Sequence, residues 1–409
     1  MSGDGSFDVV VVGGGIAGST LAWKLACSNV SVLVLEREEQ YRDRVRGECV
    51  MPWGAAEARR IGVEQLLLDA GGCYVGTSVG YDETVEPSEA VGIPLSMFVE
   101  GVPGFLTVGH PQASEALATH AASAGAVVLR GVGEVHVTAG GQPVVRYAHG
   151  DTNHEVTARL IVGADGRQST VRRQIGIALQ ETPAHAMLTG LLVSDLEAWP
   201  VDTAALGTHG DVHYLVFPRP DGIARLYLGH ADKSRFTGPD RARRFLDAFR
   251  VDSLPLGDVI AEATPAGPCA GHPGTDSWTV NPVVPGAVLV GDAAGWSDPL
   301  IGQGLSIALR DARMVADVLL ADSDWSVEAF VPYSAERAER MRRIRVTVEV
   351  MTELRCNFTE RGRARRSAFF DALSTDPLAL GLVASMLGGP ETGTPEVFEG
   401  ALERVLTMA

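Results

Sequence analysis

Four consecutive valines, Val9 to Val12, are followed at once by the glycine-rich sequence Gly13-Gly14-Gly15-Ile16-Ala17-Gly18. A β-branched run of this kind predicts a strand buried on both faces of a parallel sheet. The spacing Gly-x-Gly-x-x-Gly permits a tight turn, close approach of a pyrophosphate and close packing of the following helix. We predict that helix over 17–27 and the next strand over 31–35, ending directly before Glu36. A carboxylate there can accept hydrogen bonds from an adenosine ribose and would repel a 2′-phosphate, so the segment predicts a dinucleotide site that disfavours NADP.

A second glycine-rich segment lies far along the chain and indicates which dinucleotide is bound. The apolar strand Val288-Leu289-Val290 runs into Gly291-Asp292-Ala293-Ala294, and Pro299-Leu300-Ile301-Gly302-Gln303-Gly304 opens a predicted helix over 305–320. Asp292 can bind a polyol hydroxyl, and the start of the helix can face a ring that becomes anionic. FAD has both a ribityl chain and such a ring, whereas NAD has neither. The two segments together therefore predict FAD.

These motifs resemble those of the flavoprotein monooxygenases of the p-hydroxybenzoate hydroxylase fold, a superfamily shared with geranylgeranyl reductases and flavin-dependent halogenases. The resemblance covers Phe7 to about Leu320 and includes Gly163-Ala164-Asp165-Gly166-Arg167 and Arg46-Gly47-Glu48. It implies that Asp292 binds the ribityl chain, that Arg46 contacts the flavin, and that the Asp165 motif serves FAD and the pyridine nucleotide together. Many members carry arginine where this chain has His110. The predicted cofactor-binding residues are Gly13, Gly15, Ile16, Ala17, Gly18, Glu36, Arg37, Arg46, His110, Val132, Asp165, Asp292, Gly302, Gly304 and Leu305, with no metal ligands.

The predicted fold is α/β, with an α+β substrate domain. A Rossmann-like FAD-binding domain would comprise residues 1–75, 102–180 and 275–325. Alternating apolar strands and the turn Pro218-Arg219-Pro220-Asp221-Gly222 predict a mixed, largely antiparallel substrate sheet from residues 76–101 and 181–274. Residues 326–409 are predicted to form a C-terminal helical region.

The resemblance implies an FAD-dependent monooxygenase with tightly bound FAD, NAD(P)H as transient reductant and O₂ as co-substrate. It would hydroxylate or epoxidise an organic, aromatic or polyketide-like molecule through a flavin C4a-hydroperoxide. No catalytic residue is predicted, and the candidate pocket residues are Tyr214, Phe217, Tyr227, His230 and Trp296.

Three alternatives to the monooxygenase stay open at this point. A flavin-dependent reductase or dehydrogenase of an apolar substrate such as an isoprenoid is one, because Gly295-Trp296 after the Asp292 motif is common in the reductase and halogenase branches. A halogenase is disfavoured, since only Lys24 and Lys233 are present, neither in a suitable stretch, and no Trp-x-Trp-x-Ile-Pro segment exists. The third is a flavin-binding protein without turnover.

The overall charge and composition restrict the partners. With 34 basic and 51 acidic side chains, the net charge of −17 disfavours nucleic-acid binding. No segment approaches the roughly 20 apolar residues of a membrane span, and the first residues do not resemble a secretory signal. Five scattered cysteines indicate a reduced, cytoplasmic protein. A small organic molecule is the expected partner, and the sequence does not predict an oligomeric state.

Three further patterns in the sequence have more ordinary structural interpretations. Gly76-Thr77-Ser78-Val79-Gly80 has the spacing of a hydrolase nucleophile turn but lacks the helix that should follow it. His209 and His213 are predicted to flank a turn rather than hold a metal. Two arginine-rich stretches, 337–345 and 361–366, contain interspersed glutamates and predict a solvated, salt-bridged helix face. Binding of a substrate carboxylate, a phosphate or a partner is the alternative for the arginines.

Overall fold

The computed structural model describes residues 4–408, and its strands and helices are numbered here in chain order. The strands are β1 (Asp4–Val12), β2 (Val32–Leu35), β3 (Cys49–Val50), β4 (Cys73–Val75), β5 (Thr77–Gly80), β6 (Gly92–Pro94), β7 (Phe105–Thr107), β8 (Val127–Leu129), β9 (Val132–Thr138), β10 (Val144–His149), β11 (Thr152–Gly163), β12 (Gln180–Glu181), β13 (Met187–Ser194), β14 (Thr203–His209), β15 (Val212–Pro218), β16 (Ala224–His230), β17 (Thr264–Pro265), β18 (Ala270–Pro273), β19 (Ser277–Trp278), β20 (Val283–Val284) and β21 (Ala287–Leu289). The α-helices are α1 (Ile16–Ala26), α2 (Pro52–Ile61), α3 (Glu64–Asp69), α4 (His110–Ser123), α5 (Thr170–Gln174), α6 (Arg241–Asp247), α7 (Gly257–Ala261), α8 (Gly304–Ala321), α9 (Val331–Cys356), α10 (Glu360–Ala372), α11 (Pro377–Gly388), α12 (Pro395–Phe398) and α13 (Ala401–Leu406).

The first sheet brings the three glycine motifs to one edge. Its order is β20-β21-β11-β1-β2-β8; β10 pairs antiparallel with β11, and β9 pairs antiparallel with β10. β1 pairs in parallel with β11 and β2, so that Val12 lies opposite Gly163 and Leu35. β21 also pairs in parallel with β11, with Leu289 opposite Gly163. This parallel arrangement confirms the predicted Rossmann-like fold. In open α/β sheets, ligands bind at the carboxyl ends of the strands.

The second sheet has the order β17-β13-β16-β15-β14-β5-β6, with β18 also paired to β13. The predicted turn at 218–222 connects β15 and β16. Side chains alternate between two faces. On the outer face, Tyr214 and Leu226 pack with Phe245 of α6 and Ile260 of α7. On the inner face, Leu188, Leu215 and Tyr227 pack with Val45 and Leu300, which lie outside this sheet. We refer to these five residues as the inner-face cluster.

The C-terminal region is helical, as predicted, and α9 packs against β14, β15 and β16. Within residues 4–408, no single helix has both the length and the apolar composition to cross a membrane. Among the described helices, only α10 and α11 taken together have that length and composition, and a bend of 92° separates them.

The buried carboxylate of Asp311 on α8 connects the C-terminal helices to the second glycine motif. Its Oδ2 accepts hydrogen bonds from the backbone N–H of Gly291 at 2.8 Å and from Nε of Arg337 at 2.9 Å. Arg337 also donates to the carbonyl oxygens of Gly291, Ala294 and Gly295 at 2.9–3.1 Å. Arg340 donates to Oδ1 of Asp311 at 2.7 Å. We refer to Asp311, Arg337 and Arg340 as the Asp311 cluster.

The prediction of a solvated arginine face is therefore wrong for several of these side chains. Arg337, Arg340, Arg365 and Arg366 are each less than a tenth exposed, while Arg342 and Arg363 remain exposed. The buried arginines pair with Asp311, Glu336, Glu353, Asp82 and Glu83. Burial is possible because acids distant in sequence neutralise them, which the local pattern does not reveal.

Replacing Arg337 with methionine should lower the free energy of unfolding of the apoprotein by about 3–5 kcal/mol, because Asp311 and three carbonyl oxygens lose a buried donor. Urea unfolding followed by circular dichroism measures the change. The matched control is Arg342→Met, which breaks only an exposed pair with Glu339 and should cost under about 1 kcal/mol. Equal effects of the two substitutions would contradict the role given to the Asp311 cluster.

Candidate active site

The three glycines of the first motif have different surroundings. Gly13 has a φ of +104°, and a Cβ there would overlap the carbonyl of Ala164. A Cβ on Gly18 would overlap the carbonyl oxygen of Gly13. A Cβ on Gly15 would meet nothing within 4 Å. Two glycines are thus required by packing, and Gly15 borders open space at the start of α1, where a pyrophosphate can approach the free N–H groups.

Glu36 is held in place at the end of β2. Its Oε2 accepts a hydrogen bond from the N–H of Gly14 at 2.7 Å, and its Oε1 accepts one from Glu38 at 2.8 Å. The N–H of Val132 donates to the backbone carbonyl of Glu36 at 3.0 Å, which brings Val132 to the same place. The side chain of Arg37 is exposed and pairs with Glu38. The carboxylate is therefore oriented beside the glycine turn, as binding of a ribose requires.

The starts of three helices converge. One small apolar cleft is lined by Ile16 of α1, His110 of α4 and Leu305 of α8. A Cβ on Gly291 would lie 3.3 Å from the Cβ of Ala17 and 3.9 Å from that of Ala308, which shows how closely the second motif approaches α1 and α8. The two glycine motifs, separated by most of the chain, thus lie side by side.

The turn before α8 is supported by contacts that sequence reasoning missed. Gln303 is 1% exposed, and its Oε1 accepts a hydrogen bond from Nε1 of Trp53 at 2.9 Å. Its amide donates to the carbonyl oxygens of Ile301 and Met386 at 3.0 and 3.1 Å. Gly302 takes a φ of +65° in this turn. In the sequence, the only sign of these contacts was an amide side chain inside the Pro299–Gly304 motif. Its partners on α2 and α11 are remote in sequence and could not be predicted.

The polar groups facing this site include two that remain available to a ligand. The side chain of Asp292 is 37% exposed, with one oxygen 3.4 Å from Nε of Arg167. Arg46 is exposed and attracted electrostatically by Asp292. Asp165 differs, because its carboxylate accepts hydrogen bonds from Ser169, Thr170 and Val171 at the start of α5. Its position is thus explained by helix capping.

His110 lies in the site as a neutral imidazole. Burial, assisted by the charges of Arg46 and Arg225, lowers its pKa to about 3. The side chain therefore does not replace the positive charge that an arginine would bring at this position. Its backbone N–H points to Oε1 of Glu48 at 3.4 Å.

A buried ion network that the sequence did not indicate lies beside His110. Glu48 is 2% exposed and pairs with Arg225 at 2.9 Å and with Arg219 at 3.2 Å. Arg225 also pairs with Asp43 at 2.8 Å. Glu48 stands two residues after Arg46, and the hydroxyl of Tyr227 donates to the backbone carbonyl of Arg46 at 3.0 Å. The network thereby ties the Arg46 loop to the inner face of the second sheet.

The predicted pocket residues divide between the two faces of that sheet. Tyr227 and Phe217 are on the inner face, with ring centroids 6.1 Å apart. Tyr214 and His230 point to the outer face, where Tyr214 approaches Phe249 and His230 contacts Phe236. Trp296 is half-buried near the Asp292 motif and donates to Oγ1 of Thr275 at 3.2 Å. The structure thus brings Phe217 and Tyr227 together near Leu300, and places Tyr214 and His230 elsewhere.

Two buried carboxyl groups lie next to the turn that carries Leu300. Asp276 and Asp298 are each 3% exposed, and the N–H of Asp298 donates to Oδ1 of Asp276 at 3.1 Å. Oδ1 of Asp298 accepts from the N–H of Leu300 at 2.8 Å. Burial, together with the charge of Asp298, raises the pKa of Asp276 to about 7. Burial also raises the pKa of Asp298.

The remaining motifs have structural explanations. Thr77 to Gly80 forms β5 at the second sheet, without a nucleophile turn. His209 bonds to Ser253, whereas His213 bonds to Thr208. Within residues 4–408, no group of three or more His, Cys, Asp or Glu side chains is placed to hold a metal ion.

A family model described as FAD binding domain matches residues 6–243, and the chain belongs to this family. It is an FAD-dependent oxidoreductase with the p-hydroxybenzoate hydroxylase fold. The residues of the site fit FAD: Gly15 leaves open space at α1, Glu36 is oriented beside it, and Asp292 stays available near the start of α8.

Curated proteins resemble this chain in sequence, and solved structures share its fold. Rifampicin monooxygenase of Streptomyces venezuelae is 28% identical over 356 residues, covering 81% of this chain and 68% of the relative. Digeranylgeranylglycerophospholipid reductase 1 of Methanopyrus kandleri is 29% identical, covering 82% and 87%. The p-nitrophenol 4-monooxygenase PnpA of Pseudomonas putida superimposes with a TM-score of 0.78 at 20% identity, covering 94% and 99%. A Klebsiella pneumoniae HpxO variant complexed with FAD gives a TM-score of 0.76 at 19% identity, covering 94% and 100%.

Substituting Gly15 with alanine should weaken FAD binding by about tenfold or more without lowering apoprotein stability, because the new methyl group enters only the open space beside α1. Flavin fluorescence titration measures the dissociation constant, and thermal unfolding measures the stability. Gly141→Ala, at another open glycine, is the control that should change neither quantity. An unaltered FAD affinity in Gly15→Ala would contradict the placement of the pyrophosphate.

Asp276 should make stability depend on pH. Since its pKa of about 7 exceeds the roughly 3.9 of an unfolded aspartate, the folded protein binds more protons between these values. Its contribution to stability is therefore lost as pH rises from about 4 to 7, by up to about 1.4 kcal/mol per pH unit. Asp276→Asn should flatten this part of the stability profile, measured by urea unfolding. The exposed Asp252→Asn should leave the profile unchanged, and an unchanged profile in Asp276→Asn would refute the assignment.

Proposed function

We propose that this protein is an FAD-dependent, NAD(P)H-driven monooxygenase that hydroxylates or epoxidises an apolar organic molecule of aromatic or polyketide-like type. The observation that carries the proposal is the position of Leu300. It lies two residues before Gly302, at the turn expected to face the flavin, and packs with Leu188, Leu215 and Tyr227 of the inner face. An apolar wall directly beside the redox centre suits an apolar substrate.

Bound FAD supplies electron transfer from NAD(P)H and the activation of O₂, chemistry that side chains do not provide. The protein residues position and shield it. The first N–H groups of α8 have no partner inside the helix and favour negative charge near Gly304. Asp292 would bind the ribityl chain and Glu36 the adenosine ribose, while the inner-face cluster would exclude water from the reacting region.

The similarity to a rifampicin monooxygenase supports oxygen transfer to a large organic substrate, since the alignment covers 81% of the chain. A small-molecule partner follows from this proposal. We also propose that the protein is cytoplasmic and that its FAD-binding domain comprises residues 1–75, 102–180 and 275–325.

The second candidate is a flavin-dependent reductase of an isoprenoid or similar substrate. Two observations favour it: several relatives are digeranylgeranylglycerophospholipid reductases at 26–29% identity, and Gly295-Trp296 follows the Asp292 motif. Such an enzyme would add hydrogen to a carbon–carbon double bond and leave O₂ unused.

Purified FAD-loaded protein should oxidise NAD(P)H in the presence of aromatic or polyketide-like compounds, consume O₂ and yield a product heavier by one oxygen atom. Nucleotide absorbance, an oxygen electrode and mass spectrometry provide the three measurements. Asp292→Ala is the matched variant, and its rate should fall together with its flavin content. A product that gains two hydrogens without O₂ uptake would establish the reductase instead, and a flavin that neither nucleotide reduces would contradict both candidates.

A further inference from the structure

Arg355, in the last turn of α9, is a buried cation that has no acidic partner among the described residues. It is 7% exposed, like the other buried arginines of the C-terminal helices. Each of those others pairs with a carboxylate: Arg337 and Arg340 with Asp311, Arg365 with Glu353, and Arg366 with Asp82 and Glu83. Within residues 4–408, no carboxylate oxygen lies within 4 Å of the Arg355 guanidinium, and its Nε has no hydrogen-bond partner.

An unpaired guanidinium in such a place is costly, because burial removes water without supplying an opposite charge. Burial lowers the pKa of Arg355 to about 10, so the side chain still carries its proton at neutral pH. The residues that the structure describes neutralise the neighbouring arginines but do not neutralise Arg355. A ligand with an anionic group would supply the missing partner.

The position of Arg355 is next to the inner face of the second sheet. Its backbone carbonyl accepts a hydrogen bond from the hydroxyl of Thr208 on β14 at 3.2 Å. The following residue, Cys356, packs on the inner-face cluster. Cys356 and Leu300 both lie close to Gly229 on β16: a Cβ built on this glycine would be 3.2 Å from Sγ of Cys356 and 3.6 Å from Cδ1 of Leu300. The backbone of Arg355 therefore lies at the edge of the apolar wall assigned to the substrate, and its charge acts on the ring of His213 on β15.

His213 adds an unused hydrogen-bond acceptor at the same place. Because the single hydroxyl proton of Thr208 goes to the carbonyl of Arg355, Nδ1 of His213, 3.0 Å from that hydroxyl, must carry a proton and donate it. Nε2 is then an unprotonated acceptor that is buried and, within residues 4–408, has no hydrogen-bond partner. Burial and the charge of Arg355 hold the pKa of His213 well below its usual range, so the ring stays neutral.

We propose that the substrate is an organic acid whose carboxylate pairs with Arg355, while a hydroxyl of the same molecule donates to Nε2 of His213. The proposal rests on the proposed function in that it takes the ligand of the inner face to be the enzyme's substrate. Among the described residues, Arg340 and Arg345 are the other α9 arginines with an unpartnered buried nitrogen. Arg340 pairs with Asp311. Arg345 stacks on Trp278 at 3.9 Å and attracts Asp276, so each already has an acid nearby.

The test compares three acids with their neutral amides on the FAD-loaded protein. The probes are benzoate and benzamide, 1-naphthoate and 1-naphthamide, and anthracene-9-carboxylate and its carboxamide. Dissociation constants come from the change in flavin absorbance or fluorescence. At least one acid should bind about tenfold or more tightly than its amide, and Arg355→Gln should abolish that difference while Arg355→Lys retains part of it. Arg361→Gln, at an exposed arginine, should leave it intact.

A second measurement separates ligand binding from a structural role. Without any probe, Arg355→Gln should keep the melting temperature of the holoprotein unchanged or raise it, because the variant removes an unpaired buried charge. Arg366→Gln, which breaks a buried pair, should lower it. Equal losses of melting temperature in the two variants would overturn the proposal.

The proposal is also overturned if no acid binds more tightly than its amide, or if the difference survives in Arg355→Gln. The outcome for the anion site does not depend on the reaction type. If acids bind more tightly in an Arg355-dependent way but no product forms with O₂, the anion site is supported and the monooxygenase is rejected. Conversely, O₂-dependent product formation that is indifferent to Arg355 would retain the monooxygenase and reject the site.

Discussion

The buried carboxylate of Asp311 joins parts of the chain on which the whole cofactor site depends. It binds the backbone of Gly291 at the end of β21, and it neutralises Arg337 and Arg340 on α9. Although burial alone would raise its pKa, the two arginines hold the pKa of Asp311 below the ordinary range. Since Arg337 also binds three carbonyl oxygens of the turn that carries Asp292, the position of that carboxylate depends on a helix far beyond the nucleotide-binding motifs.

This dependence explains why a long helix follows the cofactor motifs. α9 supplies the cations of the Asp311 cluster in one part and packs against the substrate sheet in another. The same helix therefore fixes the Asp292 turn and closes the inner face near Cys356. Arginine suits this task better than lysine, because one planar guanidinium can bind several oxygens at once.

The glycine motifs, by contrast, are required because their surroundings leave no room for a side chain or must stay open to a ligand. Gly13 and Gly18 are required because a side chain would collide with the backbone, while Gly15 leaves the entrance to α1 open. Sequence alone identifies all three, since only the absence of a side chain permits the turn and the approach of phosphate. Glu36 was likewise predictable, because the end of a parallel strand has a fixed relation to the turn beside it.

The sequence by itself determined the nucleotide-binding fold, the FAD motifs and the helical C-terminal region, because strand–turn–helix units and glycine spacings are local and follow from backbone sterics. Only the tertiary structure decided which arginines are buried, which carboxylates neutralise them, and which face of the substrate sheet each aromatic residue joins. Phe217 and Tyr227 reach the inner face whereas Tyr214 and His230 do not. The physical reason is that residues remote in sequence decide whether a charge can be buried and which face of a strand packs against the core. A local sequence pattern contains no information about those residues.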